Sequence, residues 1–249
     1  MATLTGNFYS HILGMDTSVT IISPRKKLLT DRPYRTVYVL HGLTDNNSSW
    51  AYNAQLSLLA EQYQTVFILP DGARSFYINM KYGQQYFTYL SKELPELTRN
   101  LLRLSPSREE TGVFGLSMGG YGALECGLLR PDVFGFCGSF SGCCDIYKLV
   151  EVAGQNNAEL QGLFGVNYED IAQHDLFQMI GKAAQQSPQA KFYAACGTQD
   201  FLLDMNRRFS KAMQTQGFAY QYEEFGGSHE WYFWNQAVHR AMQFFFPLS

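Results

Sequence analysis

Short runs dominated by apolar side chains alternate along this chain with longer stretches in which apolar residues recur at helical spacing. Thr36-Val-Tyr-Val-Leu40 and Thr65-Val-Phe-Ile-Leu69 are continuous apolar runs, the pattern of strands buried on both faces. Ser18-Val-Thr-Ile-Ile-Ser23 alternates and predicts an earlier strand ended by Pro24, and Val113-Phe114, residues 134–140, 192–196 and 219–222 supply further strands. Helical spacing covers Trp50 to Tyr63, and Gln84 to Leu104 with Pro95 expected to kink or restart the helix. It covers in addition the segment after Ser117 up to Pro131, about Leu203 to Gln216, and a last helix opened by His229 and running towards Phe245. Strands alternating with helices predict an α/β fold with a mostly parallel central sheet and helices on both faces. Between Cys143 and Pro188 no strand is expected, and a long excursion after a sheet strand is well placed to act as a lid, although such loops also serve as plain surface packing. With no repeat or linker, residues 1–249 read as a single domain carrying a lid-like excursion at 143–188.

One strand-to-helix junction carries chemistry. Val113-Phe114-Gly115-Leu116-Ser117-Met118-Gly119-Gly120 is a G-x-S-x-G turn between a strand and a helix. Such a turn strains the backbone of its serine and pushes the hydroxyl out at the top of the sheet. Side chains at the two flanking glycines would collide with the neighbouring strand or helix. The helix behind it aims N–H groups at any negative charge developing beside the serine. The glycine spacing matches neither a phosphate loop nor a dinucleotide fingerprint.

Serine needs a base, and the base needs a group to hold its tautomer. Of the five histidines, His239 lies within the last helix, His11 near the terminus, His174 in the strandless excursion and His41 at the end of the first buried strand. His229 follows the last strand through Phe225-Gly226-Gly227-Ser228 and fits the chain order serine, acid, histidine. Asp200, at the end of the 192–196 strand, is the favoured acid; Asp204, one helical turn on, and Asp145 are the alternatives. A tetrahedral intermediate needs N–H donors, assigned to Met118, after the serine, and Leu43, in the glycine-containing loop after the first buried strand. Trp50, Tyr82 and Trp231 lie near these loops and are candidate walls of a substrate pocket, or else core residues.

Composition narrows the setting. The 249 residues carry a net charge of −3, with no basic run longer than Arg25-Lys26-Lys27, which argues against nucleic acid or an anionic membrane as partner. No secretory signal is expected in the first ten residues, and no apolar run approaches transmembrane length. Five cysteines, an odd number mostly in apolar contexts, predict reduced thiols and a cytoplasmic location. The spacing of potential ligands suggests no metal, and no cofactor is expected. Oligomeric state is left open, a homo-oligomer included.

The segments Phe8-Tyr9-Ser10, Leu40-His41-Gly42-Leu43-Thr44, residues 115–122, Tyr82-Gly83, Gly197-Thr198-Gln199-Asp200-Phe201-Leu202 and Ser228-His229-Glu230-Trp231 resemble the tributyrin-esterase branch of the esterase D / S-formylglutathione hydrolase family. The resemblance spans almost the whole chain. It implies an α/β-hydrolase fold, no cofactor, a Ser117–His229–Asp200 triad and a Leu43/Met118 oxyanion hole. The implied activity is cleavage of small-molecule esters with short acyl groups through an acyl-enzyme, or of the glutathione thioester of formate. Two departures weigh against the thioester: Asp45 stands where formylglutathione hydrolases usually carry cysteine, and Leu116 where they usually carry histidine. A binding protein that has lost its chemistry normally lacks one of these groups, whereas an acyltransferase needs an acceptor site that excludes water.

Overall fold

The computed structural model describes residues 2–25, 33–154 and 156–248; Lys26 and Lys27 of the longest basic run lie outside them. Eight strands form one sheet: β1 (Ala2–Ser10), β2 (Met15–Ser23), β3 (Arg35–Leu40), β4 (Thr65–Pro70), β5 (Thr111–Leu116), β6 (Phe136–Phe140), β7 (Lys191–Gly197) and β8 (Tyr220–Phe225). Their order across the sheet is β1-β2-β4-β3-β5-β6-β7-β8. The six strands from β4 to β8 run parallel, while β2 joins β4 antiparallel and β1 folds back on β2 as a hairpin.

The continuous apolar runs are explained by two cores, one on each face. In β3, Tyr38 and Leu40 point into one core while Val37 and Val39 point into the other. Helices α1 (Ser49–Asn53), α2 (Leu56–Tyr63) and the C-terminal α10 (Trp231–Phe245) cover the second face. The first face carries α3 (Tyr86–Thr88), α4 (Leu94–Leu101), α5 (Met118–Leu129), α6 (Ile146–Ala153), α7 (Ala158–Phe164), α8 (Leu176–Ala183) and α9 (Leu203–Thr215). Helix α5 is buried all round, from Met118 to Leu128, so it needs no polar face. No helix among the described residues is long and apolar enough to cross a membrane.

Several boundaries differ from the sequence expectation for local reasons. The helix expected from Trp50 to Tyr63 breaks at Ala54, whose backbone is extended. The kink expected at Pro95 takes the form of a π-helical turn over Tyr89–Glu93 leading into α4. Proline has no N–H to give the carbonyl four residues back, here Ser91, and Arg130 Nη1 takes up that oxygen at 3.0 Å. His229 does not open the last helix: it stands in the loop before Glu230, the N-cap of α10. As expected, no described residue between β6 and β7 forms a strand; that stretch holds α6, α7, a 3-10 turn over Ile171–His174 and α8.

Phe114, fully buried in β5, packs its ring against Phe136, Phe140 and Phe245 at centroid distances of 5.9, 5.9 and 5.7 Å. Phe114→Ala should cost about 3–5 kcal/mol of unfolding free energy through lost transfer and a residual cavity. A loss under about 1 kcal/mol in denaturant titration would contradict this packing.

Candidate active site

Ser117 leaves β5 and caps α5 with φ 53° and ψ −116°. This left-handed conformation is costly for a residue with a side chain and persists only where neighbours over-determine it. Here they do: the Ser117 N–H donates to the Phe140 carbonyl at 3.0 Å, and the Ser117 carbonyl accepts from the N–H groups of Tyr121 and Cys143, each at 3.1 Å. The flanking glycines are required as expected. A Cβ at Gly119 would sit 2.7 Å from the His41 carbonyl oxygen, and one at Gly115 would overlap the Gly119 carbonyl.

The turn places Ser117 Oγ 3.0 Å from His229 Nε2. On the other edge of the ring, His229 Nδ1 lies 3.0 and 3.2 Å from the two carboxylate oxygens of Asp200. The Asp200 side chain is fully shielded from solvent, and the His229 side chain is 20% exposed. Burial pushes the Asp200 carboxyl up, but hydrogen bonds from His229, the Leu202 N–H and Ser141 outweigh it and hold it below the ordinary aspartate value. An ionised Asp200 can only accept, so it fixes the His229 proton on Nδ1 and leaves Nε2 free to take one from Ser117.

The loop after β3 stands beside the serine: a Cβ at Gly42 would lie 3.8 Å from Ser117 Cβ. Leu43 and Met118 both line the space in front of Ser117. Among the described residues, neither of their N–H groups donates a hydrogen bond within the protein.

Two cavities open on Ser117. One of about 560 Å³ is walled by Phe76, Leu149, Leu202 and Met205, with Lys148 and Arg208 also contributing. The other, about 520 Å³, runs past His229, Trp231 and Trp234 and carries Asp45 and Glu230. Leu43 and Phe201 border both. The exposed Phe201 ring lies 4.6 Å from the His229 ring.

Residues 10–245 match the family model described as "Putative esterase". The chain belongs to the esterase family. An acetyl esterase of Caldicellulosiruptor saccharolyticus is 32% identical across the full length of both chains. Fluorophosphonate-binding serine hydrolase F of Staphylococcus aureus, solved with substrate bound, superposes with a TM-score of 0.91 at 27% identity, covering 98% of each chain. The S-formylglutathione hydrolase of the same organism does so with a TM-score of 0.87, also at 27% identity and 98% of each chain. The fold is therefore that of the α/β serine hydrolases, and the chain is a serine esterase by class.

In this esterase the expected residues separate clearly. Ser117, Asp200 and His229 are brought together, and Leu43 and Met118 flank them. Asp204 is almost fully exposed, with Arg207 at 4.0 Å, and Asp145 caps α6 and pairs with Arg208 at 2.8 Å; neither contacts His229. Of the three aromatic candidates only Trp231 lines a cavity at Ser117. Trp50 is buried behind it, with ring centroids 5.1 Å apart and its indole N–H bonded to the Leu40 carbonyl, so it is core. Tyr82 is exposed and outside both cavities; its backbone N–H ties to Gly162. His174 pairs instead with buried Glu125 of α5 at 3.4 Å. Among the described residues, no three His, Cys, Asp or Glu side chains cluster so as to hold a metal ion.

Ser141 was not singled out from the sequence. It is buried just after β6 at φ 49°, accepts from the Trp234 indole at 3.2 Å and helps hold the Asp200 carboxyl below its ordinary value. A polar serine directly after an apolar strand was the available signal, but nothing local tells which carboxylate it meets.

Because the folded Asp200 pKa lies below the ordinary 3.8, its contribution to stability is complete above that value and is lost as pH falls through the lowered one. Denaturation midpoints of wild type and Asp200→Asn should therefore differ near neutrality and converge below about pH 4. A gap independent of pH across that range would contradict the ionised, hydrogen-bonded carboxylate.

Proposed function

We propose that this serine esterase hydrolyses small carboxylic esters with short acyl groups through an acyl-enzyme on Ser117. The observation that carries the reading is the unbroken relay from Ser117 Oγ through His229 to Asp200, with both hydrogen bonds at 3.0 Å. His229 Nε2 takes the serine proton as Oγ attacks the ester carbonyl, and Asp200 holds the ring and stabilises the imidazolium. The Leu43 and Met118 N–H groups meet the oxyanion. His229 then protonates the departing alcohol, and water, activated the same way, releases the acid. Residues 1–249 are read as one domain whose 143–188 excursion contributes Leu149 to the substrate cavity.

The proton route assigns the cavities. A leaving group must lie next to His229, so the alcohol belongs in the cavity with Trp231, and the acyl group in the other. Near Ser117 the acyl cavity is apolar, but it also meets the exposed side chains of Lys148, Asp204 and Arg208. Methylenes gain free energy only while they cover apolar wall, which favours short acyl chains. The full-length similarity to an acetyl esterase supports the same preference.

The alternative is hydrolysis of S-formylglutathione, supported by similarity to the staphylococcal enzyme. The leaving-group cavity weighs against it: its lining holds two carboxylates, Asp45 and Glu230, and no lysine or arginine among the described residues. Glutathione is itself anionic and would meet like charge there. Five buried, unpaired cysteines support a reducing, cytoplasmic setting.

Ser117→Ala should lower kcat by on the order of 10³-fold or more while the protein stays folded. Asp200→Asn should lower it far more than Asp204→Asn. Full turnover in the alanine variant, or the reverse order of the two aspartates, would overturn the assignment. Across acetyl, butyryl, octanoyl and palmitoyl esters and S-formylglutathione, kcat/KM should peak at about two to four acyl carbons. A maximum at octanoyl or beyond would refute the short acyl site, and a dominant thioester rate would establish the alternative.

A further inference from the structure

The loop that bears Leu43 is held by a buried device that the reaction itself does not use. The Tyr77 hydroxyl accepts from the His41 N–H at 2.9 Å and donates to the His41 carbonyl at 3.2 Å, so one oxygen grips both sides of that residue's backbone. The His41 ring completes the grip. Its Nε2 faces the Gly72 N–H at 2.9 Å and its Nδ1 faces the Gly42 carbonyl at 2.7 Å. A backbone N–H can only donate and a carbonyl can only accept, so the proton sits on Nδ1 and Nε2 is bare. Asp71 Oδ1, at 3.6 Å from Nε2, is beyond hydrogen-bond reach.

The consequence lies in one peptide plane. In a trans peptide the C=O and N–H point in opposite directions. The Gly42 carbonyl is pinned by His41 Nδ1 and by the Asp45 N–H at 3.1 Å. The Leu43 N–H of the same plane is thereby fixed on the opposite side.

Tyr77 is built into place at a cost. Phe76 and Tyr77 both have left-handed φ, 53° and 60°, which bulky residues rarely adopt. The ring lies against α5 where Gly122 leaves room, since a Cβ there would come within 2.8 Å of it. The same strained pair serves the site twice, for Phe76 walls the acyl cavity and packs on Tyr121 with ring centroids 5.8 Å apart. Burial holds the Tyr77 hydroxyl protonated, well above the usual tyrosine range, so it remains a donor at any assay pH.

We propose that Tyr77, acting with His41, is a positioning residue for the oxyanion hole: it locks the loop so that the Leu43 N–H is preset towards the tetrahedral intermediate. The inference rests on the serine-esterase reading above. A preset donor stabilises charge that develops in the transition state, whereas a loose one must be ordered during the reaction. Losing Tyr77 therefore acts on kcat rather than on substrate binding.

The test is Tyr77→Phe, which keeps the ring and removes only the hydroxyl. Turnover of an acetyl ester is measured per organophosphate-titrated serine, alongside inhibition by an alkyl boronic acid that forms a tetrahedral adduct on Ser117. The expected result is a kcat lower by about tenfold or more with KM changed less than about twofold. Boronate affinity should fall in parallel with kcat. His41→Asn, whose amide N–H can replace Nδ1–H towards Gly42, should retain more of kcat than His41→Ala. Unchanged kcat per titrated site in Tyr77→Phe, even with a lower Tm, would reduce Tyr77 to a packing residue and overturn the proposal. Wild-type turnover that survives Ser117→Ala would instead bring down the esterase reading, and this inference with it.

Discussion

The arrangement hangs on one close approach, between the first turn of α5 and the end of β3. Gly119 packs so tightly against the carbonyls of Leu40 and His41 that no side chain fits between them. That contact sets the distance from the Ser117 turn to the loop bearing Leu43. With a larger residue the helix would have to shift away from β3, and the serine and the Leu43 N–H would part. The parallel pairing of β3 with β5, Leu40 opposite Gly115, brings the two strand ends level so that the approach can occur.

Two buried polar side chains near this contact, Asp200 and His41, have hydrogen-bond partners that fix them. The Asp200 side chain is buried, yet its carboxyl is held below the ordinary aspartate value, with His229 Nδ1 and the Leu202 N–H within hydrogen-bond distance. The neutral His41 is held by one donor and one acceptor, which between them leave it a single tautomer. Buried polar groups with a full set of partners are rigid, and rigidity is what a site needs if its dipoles are to be in place before charge develops.

The space in front of Ser117 is a product of chain segments far apart in sequence. The loop after β3, the strained residues after β4, the loop after β7 and the excursion between β6 and β7 each contribute one wall. Ser117, Leu43 and Phe201 border both cavities, and His229 lines only the one that also holds Trp231. Charge differs between them: Lys148, Asp204 and Arg208 border the first, and the two carboxylates Asp45 and Glu230 border the second.

Much of this was legible in residue order. Apolar runs identified the buried strands because a strand covered on both faces cannot be polar on either. The Gly115/Gly119 frame around Ser117, and the chain order placing Asp200 and His229 after it, picked out the three residues that the structure brings together. Local patterns could do so because they are local necessities: a tight turn excludes side chains, and functional loops sit at strand ends. What depends on partners remote in sequence was not legible. Strand β1 was missed because its side chains are mostly exposed and only its pairing with β2 makes it a strand. Trp50 and Trp231 read alike in sequence, yet one is core and the other lines a cavity. Nothing local to Ser141 or Tyr77 names its partner, since each acts through a hydrogen bond to a residue 36 or more positions away. The chain by itself determined which groups are present and which turn presents the serine. Only tertiary structure decided which acid the histidine meets, which carbonyl is gripped and where the cavities open, because those are contacts between surfaces that no single segment contains.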